Sequence, residues 1–109
     1  MHIETYTCGK FQIVKIDEKN NSIMDLSELR DLVHGYVDRG THFIAISFTG
    51  AKSIYSKAIE VLISCYKRVR EKSGELCIIE PDPALFEFLE TLNLNHKINM
   101  YVSEEYLPQ

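Results

Sequence analysis

The sequence predicts an α/β fold in which a mixed, mainly parallel sheet of four or five strands packs against three or four helices. Two continuous apolar runs, residues 43–48 and 76–79, have the length of strands that are buried on both faces. Amphipathic helical patterns alternate with these runs, and such alternation produces right-handed crossovers between parallel strands. A chain of 109 residues is about long enough for one modest core. We therefore expect a single domain over residues 1–109.

The N-terminal part of the chain predicts a strand pair followed by a helix. Residues 3–7 and 11–16 are short strand candidates, and residues 8–10 form a hairpin-like break between them. Asp25 is placed as the N-cap of the first helix, because Glu28 follows three residues later and completes a capping box. Helical spacing of apolar side chains extends this helix to Arg39 and Gly40, through Leu26, Leu29, Val33, Tyr36 and Val37.

The remaining elements alternate between strands and helices. The second helix follows the strand at 43–48 and ends at Ser73 and Gly74, and Asp82 and Pro83 begin the third helix after the strand at 76–79. Residues 98–102 are the last strand candidate, and Ser103 is placed to begin a short final helix. The predicted buried stripes are Ile59, Leu62, Tyr66 and Val69 in the second helix, and Leu85, Phe86, Leu89 and Leu92 in the third.

One edge of the predicted sheet is favoured as the functional site. In parallel β-α units, each helix begins at the carboxyl end of the strand before it. Asp25, Ser56 and Asp82 are therefore expected to lie along one edge of the sheet. Open α/β sheets place their binding sites at that edge.

Charge and hydropathy limit the partners that the chain is expected to bind. A net charge of −4 argues against a nucleic-acid partner, because phosphate binding favours a basic surface. The basic run Lys67, Arg68, Arg70 and Lys72 is interpreted as the solvated last turns of a helix, where cations suit the helix dipole. The sequence contains no signal peptide and no apolar run of 18 residues. We expect a cytoplasmic protein that binds neither nucleic acid nor a membrane.

Cysteines and histidines give no sign of a metal site. Cys8, Cys65 and Cys77 are widely spaced without a C-x-x-C pair, and the four histidines lack the spacing of metal ligands. Cys65 and Cys77 lie within apolar stretches. These two residues are therefore predicted to be buried, reduced thiols.

Signatures of catalysis are also missing from the sequence. The stretch TGAKS is similar to the end of a phosphate-binding loop, but Ala51 precedes Lys52 and Ile46 occupies the position of the first glycine. Without these glycines the backbone amides do not curl around a phosphate. No G-x-S-x-G turn is present. We expect no enzymatic activity, no cofactor and no metal.

Several short motifs share their order and spacing with those of a known family. They are Tyr66-Lys67-Arg68, Gly74-Glu75-Leu76, the turn at Pro83, Leu92-Asn93-Leu94 and the upstream Ser27-Glu28-Leu29. Residues 43–94 thereby resemble the core of a STAS domain, the fold of bacterial anti-sigma-factor antagonists. In that family an apolar strand leads to a loop ending in I/M-D-S-S/T-G-L-G, and a helix similar to V-L-L-x-x-Y-K-x-x-R follows. The order and spacing of the matching features are fairly specific, and the resemblance covers nearly the whole chain.

This chain departs from the family motif at its regulatory site. Tyr55 stands at the aspartate position, Ser56 at the first serine, Lys57 at the phosphoacceptor and Ala58 at the glycine. The resemblance implies that the chain binds an anti-sigma factor, usually an ATPase-fold serine kinase. In that family, phosphorylation of the acceptor ends this binding. Lys57 has no hydroxyl group, so that switch does not operate at this position.

A shift of the alignment by one residue would make Ser56 the acceptor instead, and Ser56 is therefore the candidate phosphosite. The apolar residues Ile54, Ile59 and Leu62 favour the first alignment, because a one-residue shift rotates a helix by about 100°. Ser56 is also suited to be a helix N-cap.

The sequence thus predicts a non-enzymatic regulatory module that binds another protein. The expected partner is an anti-sigma factor of the kinase type. Its predicted binding residues are Tyr55, Ser56, Lys57, Ala58 and Glu60. Two alternatives stay open. One is a STAS-like sensor of a small anionic ligand held by helix N-termini and Lys57. The other is a STAS scaffold or oligomerisation module.

Overall fold

The computed structural model describes residues 2–17, 26–50, 56–79 and 83–108. Strands and helices alternate along the chain after an initial strand pair. Their bounds are β1 His2–Cys8, β2 Phe11–Asp17, α1 Leu26–Asp38, β3 Phe43–Gly50, α2 Ser56–Glu71, β4 Glu75–Ile79, α3 Pro83–Thr91 and β5 Asn99–Tyr101, with 3-10 helices at Leu94–His96 and Glu104–Tyr106.

The strands form one five-stranded sheet in the order β1-β2-β3-β4-β5. β1 and β2 are antiparallel and form a hairpin, whereas the pairs β2–β3, β3–β4 and β4–β5 are parallel. β3 is therefore the central strand, with β4 beside it and α2 connecting the two. The mixed, mainly parallel sheet confirms the predicted fold class, and the position of β3 confirms that the run beginning at Phe43 is central.

The two faces of the sheet carry separate apolar clusters. The larger one, called here the helix-side core, joins one face of the sheet to all three α-helices. Its buried members are Val14, Ile16, Leu29, Val33, Val37, Ile44, Ile46, Leu62, Cys65, Val69, Leu76, Ile78, Leu89 and Ile98. The smaller one, the second-face core, consists of Phe11, Ile13, Ala45, Cys77, Ile79 and Leu107. Alternate residues of a strand point to opposite faces, so each inner strand contributes to both cores.

Some details differ from the sequence prediction. In α2 the fully buried stripe runs through Leu62, Cys65 and Val69, whereas Tyr66 is half-buried at its side. Position 65 and position 66 share a helical face with Leu62 and Val69 equally well, and it is the smaller Cys65 that is buried in the helix-side core. Cys65 and Cys77 are both buried, which confirms the predicted burial; their reduced state stays a prediction.

Differences also appear around the predicted helix starts and the C-terminus. α3 begins at Pro83 as predicted, but the proposed N-caps Asp25 and Asp82 lie outside the described residues. β5 ends at Tyr101, and Val102 is 75% exposed rather than part of the strand. Ser103 precedes a 3-10 helix of three residues, and its side chain makes no capping hydrogen bond.

Candidate functional site

The topology brings the starts of the three α-helices to one edge of the sheet. β2, β3 and β4 run in parallel, and α1, α2 and α3 follow them in turn. The first turns of the helices therefore lie beyond the carboxyl ends of these strands, at what we call the carboxyl edge. α2 occupies the middle of this arrangement because it follows the central strand.

Packing fixes α2 against the sheet. Leu62, Cys65 and Val69 are each no more than 1% exposed and belong to the helix-side core. Glu60, which precedes this buried stripe, is exposed. The N-terminal part of α2 is thus held by a rigid apolar anchor while presenting a charged side chain to solvent.

The predicted binding residues differ in their position along α2 and in how much of each the structure describes. Ser56, Lys57 and Ala58 form the first residues of α2, and Glu60 lies one turn further along the same helix. The side chains of Ser56, Lys57 and Ala58 are outside the described part of the chain, as is the whole of Tyr55. The role of Ser56 as a phosphosite or N-cap, and that of Lys57, therefore stay predictions.

The charge of the α2 N-terminus is defined by the sequence of its first turn. That turn contains no acidic residue, and Lys57 is its one charged residue. The unpaired backbone N–H groups of a helix start add a partial positive charge. The start of α2 is consequently electropositive, with Glu60 as the first carboxylate that follows.

Burial shifts the pKa of the two core cysteines. Burial raises the pKa of Cys65 to about 12, and burial followed by the nearby Glu75 carboxylate raises that of Cys77 to about 12. Both thiols are therefore protonated at neutral pH and lack the thiolate that nucleophilic catalysis requires.

A metal site needs a cluster of ligand side chains, and a membrane span needs a long apolar helix. Across residues 2–17, 26–50, 56–79 and 83–108, no group of three or more His, Cys, Asp or Glu side chains could hold a metal ion. Within those same ranges, every helix is too short or too polar to cross a membrane.

Several polar contacts between distant residues were missed by sequence reasoning. Arg68 of α2 bonds Asp38 of α1, and Ser64 lies 3.3 Å from the His34 Nε2 atom across the same helix pair. At the other side of the sheet, the Tyr6 hydroxyl donates to the Glu104 carboxylate. These contacts depend on the relative placement of whole elements, which single-sequence periodicity does not give.

The fold is similar to that of several solved structures. A STAS-domain anti-sigma-factor antagonist from Planctomyces limnophilus gives a TM-score of 0.78 at 14% identity, covering 94% of this chain and 92% of the other. The Thermotoga maritima protein TM1081 gives 0.77 at 16% identity, over 96% of this chain and 84% of the other. The phosphorylated Bacillus cell-fate determinant SpoIIAA gives 0.75 at 11% identity, over 95% of both chains.

These identities are low, so the structural similarity establishes the fold alone. Among curated proteins, none matches the sequence significantly. The model of the STAS domain family, in contrast, matches residues 10–106, from the end of the β1–β2 turn to the C-terminal 3-10 helix. Since that match spans most of the sequence and agrees with the observed sheet order, the chain belongs to the STAS domain family.

Proposed function

We propose that this protein is a non-enzymatic regulatory module that binds another protein through the first turn of α2 and the residues just before it. The observation that carries the proposal is the position of α2 at the carboxyl edge of a STAS fold, directly after the central strand. Its anchor in the helix-side core gives a partner a pre-organised surface. Preorganisation reduces the entropy that binding would otherwise cost.

The proposed partner is an anti-sigma factor of the ATPase-fold serine kinase type. The fold similarity to the antagonist from Planctomyces limnophilus and to phosphorylated SpoIIAA supports this class of partner. Tyr55, Ser56, Lys57, Ala58 and Glu60 are the proposed contact residues. The protein would act in the cytoplasm, as a single domain without a cofactor.

Lys57 is proposed to remove the phosphorylation switch. Phosphoryl transfer requires a hydroxyl oxygen in line with the γ-phosphate of ATP, and a lysine ammonium offers none. Lys57 also adds positive charge where a phosphoryl group would add about two negative charges. A kinase partner would therefore bind this protein without converting it to a released form.

The binding surface is tested by charge reversal at two ends of the same helix. Glu60→Lys alters the exposed carboxylate near the start of α2, whereas Lys67→Glu alters an exposed side chain two turns further along. The ligand is a purified anti-sigma factor of the ATPase-fold serine kinase type, and the readout is its Kd by calorimetry, with and without ATP.

We expect Glu60→Lys to weaken binding about tenfold or more, as truncation of a central interface residue does, and Lys67→Glu to leave it within about twofold. Equal effects of the two variants would contradict a site at the start of α2. Absence of kinase binding, together with saturable binding of phosphate or a nucleotide, would favour the ligand-sensing alternative. Concentration-dependent self-association alone would favour the scaffold.

A further inference from the structure

A short C-terminal segment covers the second face of the sheet. In the described part of the chain, the buried side chains of α1, α2 and α3 all belong to the helix-side core. The second-face core contains five strand residues and Leu107, which lies after the last 3-10 helix. We call residues 102–108 the C-terminal strap. Leu107 is the strap residue that fills this face.

Two side chains attach the strap at different places. Leu107 is 3% exposed and packs among the strand residues of the second-face core. Glu104 accepts a hydrogen bond from the hydroxyl of Tyr6, on the edge strand β1. The strap begins beside β5, the opposite edge strand, so it crosses the sheet from one edge toward the other.

Two large side chains of the strap are mainly exposed. Val102 is 75% exposed and Tyr106 is 65% exposed. Its local backbone bonds run from Tyr106 N–H to Ser103 O and from Leu107 N–H to Glu104 O, both within the 3-10 turn. These two bonds shape the 3-10 turn of the strap.

We propose that the C-terminal strap opens as a local unit and uncovers the second face of the sheet while the helix-side core stays packed. Proteins open in cooperative units whose free energies range from near zero for loosely packed segments to the global value for core elements. Among its described residues the strap inserts one buried apolar side chain, that of Leu107. The helix-side core contains seven buried helix residues: Leu29, Val33, Val37, Leu62, Cys65, Val69 and Leu89.

Opening of the strap would also expose residues near the carboxyl edge of the sheet. Ile79 is the last residue of β4 and a member of the second-face core, and its partner in β3 is Ser47. Ile79 and Ser47 both lie toward the carboxyl ends of their strands, on the side of the sheet where the helices begin. The strap is thus a conformational device on the face of the sheet opposite the helices, adjoining the edge from which α2 begins.

The two buried cysteines report separately on the two cores. Cys77 is 0% exposed in the second-face core, and Cys65 is 0% exposed in the helix-side core. A thiol reagent reaches a buried cysteine only after opening, so each labelling rate reflects the opening of its own core. We propose to measure both rates in the full chain, using N-ethylmaleimide and peptide-resolved mass spectrometry. Local opening predicts that Cys77 reacts about tenfold or more faster than Cys65.

Three variants test the strap directly. Leu107→Ala removes the buried side chain and should accelerate Cys77 labelling about tenfold or more, leaving the Cys65 rate within about twofold. Tyr6→Phe removes the hydroxyl donor to Glu104 and should accelerate Cys77 about threefold or more. Tyr106→Ala changes an exposed residue of the same strap and should leave both rates unchanged, which makes it the matched control.

The proposal is overturned if Cys65 and Cys77 react at equal rates in the unmodified protein, because both would then report global unfolding. It is also overturned if Leu107→Ala and Tyr6→Phe raise both rates in parallel, or if neither raises the Cys77 rate. Tyr6→Phe changes a partly exposed side chain, so it keeps the test decisive even if Leu107→Ala does not fold.

Discussion

The Arg68 Nη2 atom donates a hydrogen bond of 2.6 Å to Asp38 Oδ1, joining the last turn of α2 to the last residue of α1. A second, longer ion pair links Arg68 Nη1 to Glu71 Oε2 at 3.7 Å within α2. The basic run at the end of α2 is therefore more than a solvated surface: Lys67, Arg70 and Lys72 are exposed, whereas Arg68 is half-buried and connects two helices.

Asp38→Asn is expected to lower the free energy of unfolding by about 0.5 kcal/mol at low salt. The effect is small because the side chains of Arg68 and Asp38 are 38% and 51% exposed, and water screens their attraction. Urea denaturation at low salt and at about 1 M salt should show the difference shrinking as the Debye length falls. Glu71→Gln removes the longer ion pair with Arg68 and should lower the free energy of unfolding by a smaller amount. A loss that is unchanged by salt would contradict an electrostatic contribution.

Gly74 is required for the close approach of two chain segments. A Cβ atom there would lie 2.1 Å from the carbonyl oxygen of His42, which also accepts a hydrogen bond from Glu75 N–H. The clash is with backbone, so a side-chain rotation does not relieve it. Gly74→Ala is expected to cost about 2–3 kcal/mol of stability, measured by urea denaturation.

Gly35→Ala is the matched control for this change. A Cβ atom at Gly35 would have the Arg39 side chain, at 3.6 Å, as its nearest neighbour, which is ordinary contact. Since Gly35 lies inside α1, the higher helix propensity of alanine should raise stability by about 0.5–1 kcal/mol. If Gly74→Ala and Gly35→Ala changed stability in the same direction, the contact with His42 would not control the effect at Gly74.

Alkaline pH should destabilise the protein through its buried thiols. Burial raises the pKa of Cys65 and Cys77 from 9.0 to about 12, so the folded state retains protons that the unfolded state loses. This contribution is fully present below about pH 9 and is lost as pH rises toward 12. Each thiol should contribute a decline of about 1.4 kcal/mol per pH unit in that window.

Cys77→Ala isolates one thiol from the other groups that titrate in the same range. The variant should be less stable at pH 8, because it leaves a small cavity. Its stability should nevertheless fall less steeply than that of the unmodified protein between about pH 9.5 and 11. Urea midpoints across this range provide the measurement, and parallel slopes would show that ionisation of Cys77 is not linked to unfolding.

The sequence predicts the inner part of the fold because several signals agree there. Continuous apolar runs identify β3 and β4, since strands covered on both faces lack polar alternation. Gly74 and Pro83 mark the end of α2 and the start of α3 as expected. Agreement between local and global preferences is what makes such elements predictable.

The C-terminal strap was not predictable in the same way. Its sequence suggested a short helix starting at Ser103, but the contacts of Leu107 and Glu104 are with strands at the other end of the chain. Periodicity carries no information about which face of a distant sheet such a segment covers. The candidate site shows a similar limit: sequence locates the start of α2 beside the sheet edge, whereas the identity of a partner depends on a second surface.

Replacing Lys57 with serine tests whether the regulatory site differs from a phosphorylation switch by one residue. Position 57 lies in the first turn of α2, where the resemblance to STAS antagonists expects the acceptor hydroxyl. Lys57→Ser restores that hydroxyl. With ATP and the kinase partner, we expect Lys57→Ser to gain one phosphoryl group and the unmodified protein to gain none, as measured by intact mass followed by peptide mapping.

Ser56→Ala separates this interpretation from an alignment shifted by one residue. If Ser56 is a helix N-cap, its loss should lower stability by about 1 kcal/mol and leave partner binding nearly intact. The double variant with Lys57→Ser and Ser56→Ala should still be phosphorylated, since its acceptor is position 57. A phosphoryl group on Ser56 of the unmodified protein would instead mean that the switch survives one residue earlier. A phosphoryl group adds about two negative charges and bulk at the proposed interface, so phosphorylated Lys57→Ser should also bind the kinase more weakly than the unmodified protein does.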